Sequence, residues 1–132
     1  MRQECTITDW RPTMNPNGSH GHWATQKKKH DVDRDTAWAS AKHAGWKFIP
    51  GRVKLTITLV YSKKPLPDID NCYAKVKGLI DGLKCQTQVW FHDDKDCGEF
   101  FTDDSPEWLD LSVTAVMEPG VKATRLVLES TE

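Results

Sequence analysis

Residues 53–62 read VKLTITLVYS, and this run limits the possible folds more than any other part of the chain. Val53, Leu55, Ile57, Leu59 and Tyr61 alternate with Lys54, Thr56 and Thr58, the period of two that gives a strand one buried and one polar face. Such a strand requires a sheet to join and an apolar layer to cover it. Lys63-Lys64-Pro65-Leu66-Pro67 ends the run and stiffens the chain that follows. The period then changes: over residues 71–83, Cys72, Val76, Leu79, Ile80 and Leu83 recur at helical spacing and form an apolar stripe. A one-faced strand followed by a one-faced helix specifies a sheet packed against helices.

The flanking segments extend the pattern. Residues 5–10 read as a short opening strand, followed by a loop rich in turn residues (Pro12, Asn15, Pro16, Asn17, Gly18). Residues 23–44 are expected to be a helix, with Val32, Ala37, Trp38, Ala41 and Ala44 at helical intervals and Gly45 at the C-cap. Its Lys27-Lys28-Lys29 run, and Asp31, Asp33 and Asp35 interleaved with Arg34, read as a solvated face. A loop rich in Gln and Asp runs to about residue 104. Residues 108–117 form a second alternating strand, burying either Leu109, Leu111, Val113 and Ala115 or the opposite set. Pro119-Gly120 makes a turn, and residues 121–128 read as a last strand. The order β, α, β, α, β, β, with no internal repeat and no linker, predicts a single domain over 1–132 of α+β, or mixed α/β, class.

The formal net charge of −1 conceals an asymmetry: residues 1–64 carry +7 and residues 65–132 carry −8. Folding can mix these charges into a neutral surface, or it can set a basic surface for a polyanion beside an acidic cluster that needs a cation. No apolar run exceeds three residues, so no membrane span is expected. The first residues lack the apolar core of a signal peptide, and a cytoplasmic location is expected. Cysteines at 5, 72, 85 and 97 lack the close pairing of structural zinc sites and read as free, packed thiols. A zinc site from Cys72, Cys85, Cys97 and His92 is the less favoured alternative.

The chemistry concentrates at Pro67-Asp68-Ile69-Asp70-Asn71 and the helix it opens. On a continuous helix Asp70, Lys77 and Asp81 fall within about 20° of one line, so the helix presents an acid–lysine–acid edge beside its buried stripe. Asp68 reaches the same corner, and His92-Asp93-Asp94-Lys95-Asp96 supplies further carboxylates. Converging carboxylates repel, and they either take up protons or bind a cation. Oxygen-only donors favour a hard ion, Mg²⁺ or Mn²⁺. An ion held by two or three aspartates suits phosphodiester hydrolysis, with Lys77 placed to hold the phosphate or stabilise its transition state. The plainer reading is that Asp70 or Asn71 caps the helix, that Lys77–Asp81 is an ordinary i,i+4 pair, and that Asp93-Asp94 is loop solvation. Spacing alone does not separate the two.

The stretch DIDNCYAKVKGLIDGL, residues 68–83, followed by His92-Asp93-Asp94, resembles the RusA-type Holliday-junction resolvases. Their pattern is Asp-x-Asp-Asn, a lysine, Asp-Gly/Ala-Leu, and a variable loop ending in Asp-Asp. Trp10-Arg11-Pro12-Thr13-Met14-Asn15 and His22-Trp23-Ala24 are similar to the family's opening motif and the start of its first helix. The resemblance covers about residues 6–116. It implies a small mixed sheet packed against two helices, with Asp68, Asp70 and Asp94 as magnesium ligands and Lys77 as the essential lysine. Aligned from the start of the helix instead, Lys75 takes that place. The loop from Lys84 to His92 lacks the small Gly-containing turn usual before Asp-Asp.

The function implied is a magnesium-dependent endodeoxyribonuclease, with Mn²⁺ also supporting activity. It would resolve four-way junctions in recombination and repair by paired symmetric cuts that leave 5′-phosphate and 3′-hydroxyl ends. A two-fold homodimer would supply the two sites, and the family is dimeric. Backbone phosphates are expected against the basic half, including Lys27, Lys28, Lys63 and Lys64, with Arg11 and Asn15 at the branch point. Of the six tryptophans, Trp90, with Phe91, stands beside the acidic loop, where it either packs or stacks on a base. The alternatives are a catalytically inactive junction- or DNA-binding accessory protein of phage replication, and a zinc-stabilised interaction domain.

Overall fold

The structure, a computed structural model, describes residues 1–14, 23–84 and 100–131. It contains β1 (Arg2–Thr8), α1 (Trp23–His43), β2 (Val53–Tyr61), α2 (Ile69–Lys75), α3 (Lys77–Leu83), β3 (Leu109–Met117) and β4 (Ala123–Ser130). The strands form one mixed sheet in the order β1-β4-β2-β3. β2 and β3 are parallel, with Val53 opposite Leu109 and Ile57 opposite Val113, while β4 runs antiparallel to both β1 and β2. Parallel neighbours need a crossover, and α2 and α3 lie within it.

The alternation of β2 is realised in full: Val53, Leu55, Ile57 and Leu59 have no exposed surface. They share one core with Cys5 and Ile7 of β1, Leu126 and Leu128 of β4, Ala37 and Ala41 of α1, and Val76, Leu79, Ile80 and Leu83. The α+β expectation therefore holds, with the helices on one face of a small mixed sheet. β3 buries Leu109 and Val113, with Leu111 and Ala115 partly buried against the core, which selects the first of the two faces left open above.

Several boundaries move. β1 begins at Arg2 rather than Cys5, because β4 pairs with it from Arg2 onward, and it stops before Asp9, whose φ is 57°. β4 runs two residues later than expected, over Ala123–Ser130. Gly45 ends α1 as expected: with φ of 82° it donates its N–H to Lys42 O, and Trp46 N–H reaches Ala41 O, the Schellman arrangement.

The single helix expected over 71–83 is two. It starts earlier, at Ile69, and breaks at Val76, whose N–H turns back to Tyr73 O at 3.3 Å. The two pieces have different partners. α2 rests on β3, where the Tyr73 hydroxyl donates to Leu111 O at 3.2 Å and lies 3.4 Å from the Val113 N–H, on the last strand of the described sheet. α3 instead packs tightly on α1: a Cβ at Gly78 would stand 2.9 Å from His30 O, and one at Gly82 would overlap the Arg34 carbonyl. On α1, Ala37 and Ala41 are buried as expected, but Val32 is exposed and Asp33 is wholly buried, so the acidic run is not a uniformly solvated face.

Phe100 and Phe101 are core residues that the expected loop to residue 104 did not anticipate. Phe100 N–H bonds Leu83 O, its carbonyl accepts from Ile49 N–H, and its ring meets Trp46 edge-on at 5.8 Å. Lys84 and Phe101 form an isolated parallel bridge, so these two described residues meet at the end of α3 although far apart in the chain. Cys5 and Cys72 are buried free thiols, as expected; Cys85 and Cys97 lie outside the described residues.

Candidate functional site

The loop after β2 delivers Asp68 to the start of α2. Its backbone is extended, with φ of −72° and ψ of 171°, and Oδ1 accepts the Asn71 N–H at 2.9 Å. Asp68 is thus the helix cap, a role the sequence offered to Asp70 or Asn71. Capping engages one oxygen of a carboxylate that has two. Asp70 follows in the first turn, and both aspartates are exposed.

The break at Val76 sends the two candidate lysines into different surroundings. Lys77, the first residue of α3, is exposed and lines a concavity of about 480 Å³ with Tyr73, Ala74, Ile80 and Asp104. Lys75, the last residue of α2, is half-buried, and its Nζ donates to Met14 O at 3.3 Å. It lines a second cleft, of about 500 Å³, with Arg11, Tyr61, Pro65, Pro67 and Lys122. Burial and the nearby Arg11 push the Lys75 pKa below its ordinary value, with Asp33 opposing.

Asp81 shares α3 with Lys77, whereas Asp70 is on α2, so the three do not stand on one continuous helix. Asp81 belongs to a network joining α1, α3 and the chain after Phe101: His30 Nε2 is 2.6 Å from Oδ2, and Lys84 Nζ is 3.3 Å from Oδ1. Lys84 also reaches Asp104 at 3.4 Å. Burial opposes the Lys84 ammonium, but Asp81 and Asp104 outweigh it and raise its pKa. The N–H of Asp104, with help from the side chains of Asp104 and Ser105 and the charge of Lys84, holds the Asp103 carboxyl below its usual range.

Asp103-Asp104 is a second Asp-Asp pair, and the sequence reading passed over it in favour of Asp93-Asp94. Asp94 lies outside the described residues, as do Asn15, His22, Trp90, Phe91, His92 and Asp93. Asp104 is the described carboxylate that shares a concavity with Lys77.

Asp33 is the other residue the sequence concealed. Fully buried, it accepts from Thr13 N–H at 2.9 and 3.0 Å, from Thr13 Oγ1 at 2.8 Å and from Met14 N–H at 3.3 Å. It pins the segment carrying Arg11 onto α1. Burial pushes its pKa up in spite of these donors.

Of the cations expected to meet DNA, Arg11 lies over the Tyr61 ring at 4.0 Å and donates to Val60 O at 2.9 Å. Lys27 is exposed and paired with Asp31 at 2.9 Å. Lys28, Lys63 and Lys64 are exposed.

The donors suit a hard cation, since Asp68, Asp70 and Asp104 offer only oxygen. Among the described residues, no three carboxylate, histidine or cysteine side chains already converge as a metal-ligand group. No helix is long and apolar enough to cross a membrane, again among the described residues. The chain matches no protein-family model and no curated protein.

Proposed function

We propose that the chain is a magnesium-dependent endonuclease of the RusA type, cutting branched DNA at four-way junctions as a two-fold homodimer in the cytoplasm of a bacterial or phage-infected cell. The observation that carries the reading is the surroundings of α2. Two exposed aspartates open the helix, Lys77 follows in a concavity shared with Asp104, and a cleft lined by Arg11, Lys75 and Lys122 flanks the same helix. A site that hydrolyses a polyanion needs this pairing of charges, because carboxylates by themselves repel the phosphate they are to attack.

Asp68 and Asp70 would hold Mg²⁺, with a third carboxylate from one of the two Asp-Asp pairs, Asp94 or Asp104. The chemistry the ion supplies when bound is neutralisation of a phosphoryl oxygen and a more acidic attacking water. The Asp68 cap fixes its own carboxylate and the first turn that carries Asp70. Lys77, exposed on α3, would place an ammonium against the phosphoryl oxygens as negative charge gathers there.

The test is a synthetic four-way junction incubated with and without Mg²⁺. Paired symmetric nicks, abolished by EDTA and by Asp70→Asn with junction binding retained, are expected. Asp70 is a cleaner position than Asp68, whose substitution also removes a cap worth about 0.5–2 kcal/mol. Binding without cleavage in either Mg²⁺ or Mn²⁺ would turn the assignment to an accessory DNA-binding protein.

A further inference from the structure

The proposed function draws on the cleft of Arg11, Lys75 and Lys122 for its charge alone and assigns it no ligand. Its three cations come from three distant parts of the chain, and among the described residues no carboxylate lines it. Its walls, Tyr61, Pro65 and Pro67, are stiff. Arg11 is held in place, with its guanidinium on the Tyr61 ring at 4.0 Å and one N–H on Val60 O, so that a planar fork of five donors is oriented before any ligand arrives. The Asp33 clamp on Thr13 and Met14 fixes the segment beside it, and Met14 O in turn receives Lys75. Lys122 is anchored through its backbone, where its carbonyl accepts the Asp9 N–H at 2.8 Å, while its side chain is exposed.

Holding three cations around one concavity is unfavourable unless an anion completes it. Of the acidic groups around the cleft, Asp33 is buried and committed to Thr13 and Met14, Asp68 follows Pro67 in the chain and caps α2, Asp9 bonds Lys122 O through its N–H, and Glu118 pairs with Arg125. A carboxylate ligand would satisfy one fork. Three cations on separate walls match a group with several oxygens pointing in different directions.

We propose that this cleft is a phosphate-binding site in which Arg11, Lys75 and Lys122 bind the oxygens of one phosphate group. On the endonuclease reading, on which this further step rests, that group is a backbone phosphate of the DNA strand entering the acidic turn. Pro67 lines the cleft and Asp68 follows it directly, so the strand is held next to the cutting site rather than in it. A phosphate contact here positions the strand and reads no base.

Two measurements test this. Inorganic phosphate is titrated into the isotopically labelled full chain against chloride at equal ionic strength. Saturable amide shifts are expected at Arg11, Thr13, Tyr61, Leu66, Lys75 and Lys122, and they should vanish in Lys122→Glu, an exposed position whose fold is checked by its melting curve. Absence of those shifts in the native chain overturns the proposal. Binding of a labelled four-way junction is then measured across a salt series. Lys122→Glu is expected to weaken binding severalfold and to reduce the slope of log K against log salt by about one. If the native chain binds the junction and the variant keeps its affinity and slope, the DNA contact is overturned. Phosphate shifts in a chain that binds no DNA would leave the cleft as a phosphate site and remove the endonuclease reading instead.

Discussion

Thr13 gives both of its donors to Asp33: the backbone N–H lies 2.9 Å from one carboxylate oxygen and 3.0 Å from the other, and the hydroxyl is 2.8 Å from the first. The aspartate is entirely buried on α1 and the threonine belongs to the segment that carries Arg11. One side chain therefore ties a loop of the candidate site to the first helix. Asp33→Ala strands two N–H groups and is expected to destabilise the fold by about 1–3 kcal/mol, measured by urea unfolding near neutral pH.

The same pair gives a pH dependence with a definite sign. Burial raises the folded pKa of Asp33 above its unfolded value. Between the ordinary carboxylate pKa and that raised value the folded chain binds more protons than the unfolded one, so this group's contribution to stability falls as pH climbs through the window. Lys75 acts in the opposite direction at the alkaline end. Its folded pKa is lowered by burial and Arg11, so its contribution rises as pH climbs from the lowered value to the ordinary one. Unfolding curves across pH are expected to show Asp33→Asn flattening the acidic decline and Lys75→Met flattening the alkaline rise. Unchanged slopes would mean that neither group titrates differently on folding.

Gly82 has no room for a side chain. A Cβ there would overlap the Arg34 carbonyl, whereas at Gly78 it would stand 2.9 Å from His30 O and 3.0 Å from the Asp33 Cβ. Backbone cannot give way as a side chain can, so Gly82→Ala must push α3 off α1. The expected cost is at least the 1–3 kcal/mol typical of overpacking, roughly, with Gly78→Ala the milder of the two. Denaturant midpoints of the two variants give the order.

What the sequence revealed of this fold, and what it hid, divides along local and long-range physics. The face of β2 was legible because alternation is a local property and Val53 through Leu59 keep it without interruption. The position of β4 between β1 and β2 was not, since alternation assigns a face but names no neighbour. The break at Val76 was hidden because Cys72, Val76, Leu79 and Leu83 keep helical spacing across it; only the different partners of α2 and α3 require two axes. Asp33 looked solvated among Asp31, Arg34 and Asp35, because its partners are backbone N–H groups twenty residues away. At the candidate site, Asp68, Asp70 and Lys77 were read from one short motif. Asp104 was not, because its place beside Lys77 depends on the chain returning to Lys84 at Phe101.

The two lysines are expected to separate kinetically. Lys77 faces the concavity with Asp104, and Lys75 the cleft with Arg11. Lys77→Ala should lower the single-turnover cleavage rate by roughly 100-fold or more, the scale for losing one transition-state donor, while junction affinity stays within about twofold of native. Lys75→Ala should weaken junction binding and leave cleavage at saturating enzyme within severalfold of native. The reverse pattern would assign the catalytic ammonium to Lys75.

The third carboxylate is decided by comparing Asp104→Asn with Asp94→Asn. Asp104 shares the Lys77 concavity and is tied to Lys84 at 3.4 Å, which places an oxygen donor beside the proposed catalytic lysine. The ion pair itself is partly exposed and worth at most about 1 kcal/mol, so the asparagine variant should remain folded, as its melting curve would show. If Asp104 completes the magnesium site, its loss is expected to cost roughly 100-fold or more in magnesium-dependent cleavage, since even the partners that orient a ligand cost 10–100-fold. Weaker magnesium binding by calorimetry should accompany that loss, with Asp94→Asn near native in both assays. Should Asp94→Asn abolish both while Asp104→Asn does neither, the ligand is Asp94, and the Asp104–Lys84 pair serves to hold the chain after Phe101 against α3.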